Sequence, residues 1–594
     1  MTTTSSADGR SRKPLRLWPG VVILVLQWVV RFLVPAVWPD LMVYGLMGGA
    51  VGGLAIVLWW VFFSRAPWVE RLGGAALMIA AIFLTKRLVH VSIATGAMGM
   101  LVYMLALPIV SLVFVAWAAS TRKLTDPLRR ATMVVSILLG CGVLTLIQTG
   151  GFTGDFHNDF RWRWAKTPED QLIAQSTELQ AAPPLKEAIE KPAQIKATVA
   201  PVIVPPAVTE TTSIWPGFRG PHRNGTVPGV RIKTEWTASP PVALWRRPVG
   251  PGWSSFAVRG NLVYTQEQRG PDEVVACYKL TTGEPVWAHR DKARFWESNA
   301  GAGPRGTPTL NKGRVYTLGG TGLLNALNAG DGSVVWSRNA AADAGMKVPE
   351  WGFAGSPLVV GDAVIAAVSG RLASYDIATG APRWQGPRRG VSYSSPQLLN
   401  IEGVEQILLV SQPGAVSIGL GDGKVLWEHP WKGYPIVQPG ITAEGDILIS
   451  VKDGGGTRRL NVTHGNGGWK AEERWTSSGL KPYFNDFVVH NGHAYGFDGN
   501  ILACIDLNDG KRKWKGGRYG NGQLVLLPNQ NLLLVLSEEG GLALVRATPD
   551  SFSEAARFPG IEGKTWNHPV LAGDVLLVRN GEEMAAFRLA LESQ

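Results

Sequence analysis

The residues of this sequence with types suited to chemistry lie mostly in its second half. His568 and Asp486 are the types of a base and its orienter: the carboxylate fixes the imidazole tautomer, and the other ring nitrogen is left to take a proton. Arg305, Lys481 and Arg518 are cations of the kind that hold a carboxylated ligand by charge-assisted hydrogen bonds. Trp351 and Trp566 offer flat faces for stacking. Trp253, Glu350, Tyr393, Gln438, Asn485, Tyr519, Gln523 and Asn567 complete a polar and aromatic set. Other chemistries are excluded. The 3 cysteines are too few for a disulfide scaffold or a multi-cysteine metal framework. No CxxCH motif for covalent haem occurs. Gly319-Gly320-Thr321-Gly322 lacks the lysine and the following helix of a phosphate loop.

Residues spread from Trp253 to His568 act together only if the fold gathers them. The chain has 594 residues with 71 Gly and 24 Trp; glycine is well above the usual share of about 7%. Its net charge of +12 is uneven. Residues 1–165 carry +9 and the remaining 429 only +3, which argues against a nucleic-acid partner. The basic part is also the apolar part. Five stretches, Leu17–Val34, Leu41–Phe63, Gly73–Val91, Gly96–Ala119 and Ala131–Gly150, each approach the ~20 residues of a membrane-crossing helix. With the N-terminus inside, Arg65, Arg71, Arg122, Lys123, Arg129 and Arg130 fall in inner loops, as the positive-inside rule requires; Lys86 and Arg87 are exceptions, explained either by snorkelling to the interface or by an early end to that span. This topology places the C-terminal part outside, in a bacterial periplasm, with the lipid bilayer as a partner. Gly48, Gly49, Gly52 and Gly53 read as a close helix-packing face.

A Pro- and Ala-rich stretch, Ala181–Thr212, reads as a semi-extended linker. Beyond it a unit repeats: an apolar strand, a turn ending in Gly, then Trp. Instances end at Gly283 before Trp287, Gly332 before Trp336, Gly380 before Trp384, Gly423 before Trp427 and Gly510 before Trp514. The tryptophans, with Trp475, recur at intervals of 49, 48, 43, 48 and 39 residues. Glycine accepts the positive φ of such a turn, and the tryptophan is placed to wedge between neighbours. Four short strands per ~45 residues make a β-propeller. Eight units fit between Val242 and Leu591, the last borrowing Val242–Arg247 as its missing strand. The expected organisation is therefore a five-helix membrane domain over 1–152, a juxtamembrane segment and linker over 153–212, and an all-β eight-bladed propeller over 213–594.

Aligning the units puts Ser255, Thr307, Ser356, Ser395, Gln438, Asp486, Gln523 (or Gly522) and His568 at equivalent starts of the inner strands. Their predecessors are Ser254, Gly306, Gly355, Ser394, Val437, Asn485, Gly522 and Asn567. These positions ring one mouth of the axis. The polar, cationic and aromatic residues from Trp253 to His568 are expected to line or rim that mouth, the default binding site of the architecture. Cys277 and Cys504 fall at one place in units that are not neighbours, and are expected as buried free thiols.

The Asp-x-x-Thr-Gly-x-x-x-Trp unit, with Trp215-Pro216-Gly217-Phe218-Arg219-Gly220-Pro221 before the first repeat, resembles the repeats of the pyrroloquinoline quinone (PQQ) propeller family. That family includes PQQ-binding-like propellers such as the outer-membrane assembly lipoprotein BamB. A five-span anchor before the propeller is similar to that of membrane-bound quinoprotein glucose dehydrogenase. For a BamB-like member, the resemblance implies a membrane-anchored periplasmic module that binds an envelope protein or ligand. For an enzymatic member it implies the alternative, a PQQ-dependent dehydrogenase that oxidises an alcohol or sugar and passes electrons to membrane quinone. Catalytic members hold PQQ with Ca²⁺ through a Glu, an Asn and an Asp, and Glu350, Asn485 and Asp486 match these types. The adjacent cysteine pair of the soluble alcohol dehydrogenases is absent, and the propeller has few long insertions. The expectation is therefore the binding module, in the bacterial inner membrane.

Overall fold

The computed structural model describes residues 15–38, 41–154, 157–175, 215–431, 433–452 and 455–592. They form two units: Met1–Ala165 with Glu297–Ala300, and Lys166–Trp296 with Gly301–Gln594.

In the first unit five helices are long and apolar enough to cross a membrane: Trp18–Val37, Tyr44–Phe63, Trp68–Leu88, Leu101–Ser120 and Asp126–Leu146. Their bounds depart from the expected ones where the backbone gives a reason. Pro67 caps the third helix, which starts ahead of Gly73. Gly96, Ala97 and Met98 break the run before the fourth, with Ala97 and Met98 at φ 49° and 56°. The fifth begins at Asp126, with Pro127 in its first turn, and leaves the helix before Ile147. Ile147–Phe152 then pairs with Asn158–Trp162 as a hairpin rather than prolonging the span. The glycine face packs closely: Gly48 meets Val30, Gly49 the Arg31 stem and Gly52 Gln27, whereas Gly53 meets Leu107 of the fourth helix. Gln27 Nε2 also donates to the Gly49 carbonyl at 2.8 Å.

The second unit is an eight-bladed propeller, each blade a four-stranded antiparallel meander. Blade one is Ala257–Arg259, Leu262–Arg269, Asp272–Lys279 and Pro285–Asp291. Blades two to seven follow in chain order. Blade eight joins Val570–Ala572, Val575–Arg579 and Glu583–Arg588 to Val242–Pro248, which pairs with Glu583–Arg588 and closes the ring. A buried cluster reinforces this closure. Arg579 of blade eight donates to Thr265 Oγ1 (2.6 Å) and the Gln266 carbonyl (2.9 Å) of blade one, and to the Gly250 carbonyl at 3.1 Å. Burial pushes its guanidinium down to about 10.

The blades are held to one another by a repeated contact. Trp245, Trp287, Trp336, Trp384 and Trp475 each lie against the turn glycine of the following blade: Gly283, Gly332, Gly380, Gly423 and Gly510. Each indole N–H donates to a carbonyl of that same turn region, at 2.8–3.1 Å: Leu280, Ala329, Ile377, Leu420 and Leu507. Trp514 does the same to Thr548 at 2.7 Å. The glycines have φ between 68° and 73°. A side chain there would meet both a left-handed backbone and the indole. Trp427 is the exception, donating within its own blade to Gln406 Oε1 at 2.7 Å. The next blade's outer hairpin has ten-residue strands, Gly456–Gly465 and Gly468–Ser477, so its turn lies far from the docking position. Cys277 and Cys504 are buried free thiols, and burial raises both, Cys504 to about 12.

The Pro- and Ala-rich stretch 181–212 lies outside the described residues, but its flanks are informative. Before it, helix Pro168–Gln175 sits on blade one. Glu169 forms a bidentate pair with Arg294 (2.7 and 2.8 Å) and accepts the Gly270 N–H at 2.8 Å. After it, Trp215 pairs with Val258 of the same blade. The chain thus reaches the propeller ahead of the stretch as well as after it.

These contacts set the outcome of two stability measurements. A Cβ at Gly380 would lie 2.7 Å from the Trp336 ring, whereas at Gly573 (φ 64°) it would meet nothing within 4 Å. Both substitutions to alanine carry the left-handed penalty of about 1–2 kcal/mol. Gly380→Ala should cost about 1–3 kcal/mol more through overpacking, read by chemical denaturation of the detergent-solubilised chain. The second concerns Glu273, which is buried between blades one and two and accepts the Gly320 N–H at 2.9 Å. Burial pushes its carboxyl up from 4.5 to about 7. Between those values the unfolded chain releases this proton and the folded chain keeps it. Stability therefore falls as pH rises from 4.5 through 7, and is flat with respect to this group on either side. The total is on the order of 3 kcal/mol. Glu273→Gln should remove that decline in melting temperature measured across the same pH range.

Candidate functional site

The residues aligned at the starts of the inner strands come together as a hydrogen-bonded belt around the axis. Ser255 N–H donates to Thr307 Oγ1 (3.0 Å), Thr307 N–H to Ser356 Oγ (2.9 Å), and Ser356 N–H to Ser395 Oγ (2.9 Å). Gln438 Nε2 reaches back to Gln397 Oε1 of blade four at 2.8 Å, and its N–H donates to Asp486 Oδ1 at 2.6 Å. Asp486 N–H donates to Gln523 Oε1 (3.3 Å), and Gln523 Nε2 to the Trp566 carbonyl (3.1 Å). Ser255 Oγ completes the circuit on the His568 carbonyl at 2.6 Å. Most side chains at these positions are thus engaged with another blade. The pattern is local: a strand's first N–H has no sheet partner on its axial side and takes the nearest side-chain oxygen.

Beyond the belt, toward the ends of the inner strands, residues 215–231 cross the axis. Besides the Trp215 pairing, the Leu310 N–H of blade two donates to the Pro216 carbonyl at 2.7 Å, and Thr226 pairs with Leu526 of blade seven. Arg223 spreads its guanidinium over carbonyls of Ser356 (3.2 Å), Pro396 (3.1 Å) and Pro357 in blades three and four. Burial pushes it down to about 9. Arg219 is buried too, with Nε 3.6 Å from Asp486 Oδ2 and a terminal nitrogen donating to the Phe487 carbonyl. The segment is a plug in the axis.

His568 and Asp486 do meet, with Nε2 to Oδ2 at 2.9 Å. Phe218 of the plug stands edge-on to the imidazole at 5.1 Å. Burial opposes ionisation of Asp486, but Arg219 and the His568 hydrogen bond outweigh it and hold its carboxyl below the usual range. The pair is therefore an element of a buried Arg219–Asp486–His568 network.

The loops ahead of the belt carry aromatic groups. Trp253 and Trp566 lie with centroids 4.7 Å apart, Phe484 is 4.7 Å from Trp566, and Tyr483 is 5.3 Å from Phe484. Lys564 Nζ stands 5.3 Å from the Trp253 ring and 4.6 Å from that of Trp566, and Lys452 Nζ lies 4.5 Å from Tyr483. Buried Glu538 fixes Trp566, accepting its indole N–H at 2.7 Å. A second group joins Trp351 to Tyr393 (4.8 Å) and Tyr434 (6.0 Å).

Several expected ligand-holding residues are engaged elsewhere. Arg305 folds onto its own loop, donating to the Gly301 and Gly303 carbonyls and lying over Phe295 at 4.6 Å. Lys481 Nζ is 3.6 Å from Asp498, an acid that also pairs with Arg512 and Lys515. Arg518 is exposed at the end of an outer strand. Tyr519 is a correction: it is buried between blades six and seven in a cluster with Trp514, and its hydroxyl bonds Glu554. Asn567 Nδ2 is used by the Ser254 carbonyl at 2.7 Å.

The Ca²⁺ that PQQ chemistry needs does not fit Glu350, Asn485 and Asp486. Glu350 is exposed on a loop. Asn485 Oδ1 already accepts the Tyr483 N–H at 2.9 Å. Both Asp486 oxygens are engaged, one beside the Arg219 cation. Among the described residues no group of His, Cys, Asp and Glu is placed to hold a metal. Arg223, Phe484, Glu538 and Lys564 were not singled out from the sequence. Nothing in the repeat marks them, because they lie in loops or in the plug.

Comparison with known proteins agrees with this architecture. Residues 236–404 match the family model described as outer membrane protein assembly factor BamB. The chain is 24% identical over 322 residues to BamB of Yersinia pestis, covering 51% of this chain and 70% of that protein. It is 28% identical over 197 residues to BamB of Shewanella oneidensis, covering 31% and 45%. Among solved structures, the quinohemoprotein alcohol dehydrogenase of Comamonas testosteroni has a TM-score of 0.47 at 14% identity, over 65% of this chain and 82% of that one. BamB from Moraxella catarrhalis has 0.41 at 14%, over 60% and 99%. The repeat and the docking tryptophans make an eight-bladed β-propeller with PQQ-like repeats, and its sequence is similar to BamB.

Proposed function

We propose that this chain is a membrane-anchored binding module of the bacterial envelope, with its propeller on the periplasmic side of the inner membrane. Its mouth is read as a dock for an acidic, aromatic-bearing segment of another envelope protein. The observation that carries this reading is the division of labour around the axis. Most side chains of the polar belt and the plug are engaged within the chain, and the rim carries half-buried rings with lysines over them. Such rings take apolar side chains, and the ammonium groups take carboxylates at the polar edge of the contact. The basic inner loops support the orientation. The relatives' description as assembly factors agrees with binding rather than turnover.

The experiment is a pair of titrations on the purified chain. PQQ with Ca²⁺, followed by quinone absorbance and by dye reduction with alcohols and sugars, should give neither binding nor turnover; both together would overturn the reading in favour of a dehydrogenase. Acidic aromatic peptides should quench tryptophan fluorescence. Trp566→Ala and Lys564→Glu should each weaken that binding by about tenfold or more. Glu538→Gln should weaken it less, because Trp566 keeps its ring but loses its charged acceptor.

A further inference from the structure

The membrane unit contains a cleft of about 390 Å³ between its first two spans. One end is set by Arg16 and Trp18, and its walls are Ile23, Ala55, Leu58 and Phe63. Trp59 pins the cationic end, its indole N–H donating to the Arg16 carbonyl at 3.0 Å. Arg16 N–H donates in turn to the Ser64 carbonyl at 3.1 Å. Gly20 makes room for that indole, since a Cβ there would lie 2.6 Å from the Trp59 ring. The backbone of Arg16 is thus fixed while its side chain stays exposed, 5.6 Å over the Trp18 ring. Among the described residues no carboxylate pairs with its guanidinium. Trp18 and Phe63 are 62% and 59% exposed, aromatic groups of the type that sits at a membrane interface.

A cation on a fixed backbone, without a carboxylate partner among the described residues, at the interface end of an apolar cleft complements a phospholipid: a charged headgroup joined to a chain. Basic pockets between spans hold anionic headgroups in this way. Arg65, next to Ser64, adds positive charge at the same end. We propose that this cleft is a binding site for an anionic phospholipid, with its phosphate on Arg16 and an acyl chain along Ile23, Ala55 and Leu58. The proposal rests on the five helices being membrane spans, and is independent of what the propeller binds.

The test is native mass spectrometry of the delipidated full chain with phosphatidylglycerol, phosphatidylcholine or glycerol phosphate added. One phosphatidylglycerol should be retained, in preference to phosphatidylcholine by about tenfold, and glycerol phosphate should not be retained. Arg16→Gln should lower retention by about tenfold. Ala55→Phe, which fills the cleft, should abolish it, and Arg122→Gln, in another basic loop, should leave it unchanged. Equal retention of phosphatidylcholine, retention of glycerol phosphate, or full retention by folded Arg16→Gln and Ala55→Phe chains would overturn the proposal. The lipid arms use the unaltered chain, so they decide the matter even if a variant misfolds.

Discussion

An indole laid on a glycine of the next blade is the contact on which the propeller depends. It does two jobs in one place. The ring covers apolar surface between blades, and its N–H satisfies a carbonyl that the tight turn leaves without a strand partner. Because the glycine is left-handed and lies beneath the ring, the two residues constrain each other: neither can change without the other losing its partner. Repeated from Trp245 through Trp475, with Trp427 departing from it and Trp514 keeping only the indole hydrogen bond, it sets the spacing between blades. The inner ends of the strands are then brought close enough for the belt to form.

That spacing shapes the axis. A ring of strands leaves backbone donors pointing inward, and water or side chains must meet them. Here serine, threonine, glutamine and aspartate side chains meet many of them from the neighbouring blade, and Arg219 and Arg223 occupy the far end. Buried arginines are expensive to desolvate. Both are distributed over several carbonyls, and Arg219 also has a carboxylate nearby. The polar groups of the centre thus serve cohesion. The loops carry the rings and cations of the rim.

Much of the fold was legible because it is periodic. The Gly–Trp interval announced the blades, and the shortfall of strands in the last unit pointed to Val242–Arg247 as the closing strand. The apolar runs announced the spans to within a few residues, failing where Gly96–Met98 or the Ile147–Phe152 hairpin interrupted them. The belt positions were legible by alignment, but not their purpose, since residue type does not reveal that Gln438 and Asp486 are turned sideways to each other. Tyr519, next to the mouth in sequence, is carried into the core by the Gly517–Gly520 bend, whose glycines are at φ 71° and 62°. The rim pairings, Lys564 over Trp566 and Glu538 beneath it, depend on loops that no repeat encodes.

Helix Pro168–Gln175 and the Trp215 bridge rest on one blade, and this changes what the stretch between them means. The described residues on both sides of it, Pro168–Gln175 and Trp215, are held by blade one. A single cleavage between them would leave both flanks bound to that blade, one through Glu169 and the other through Trp215.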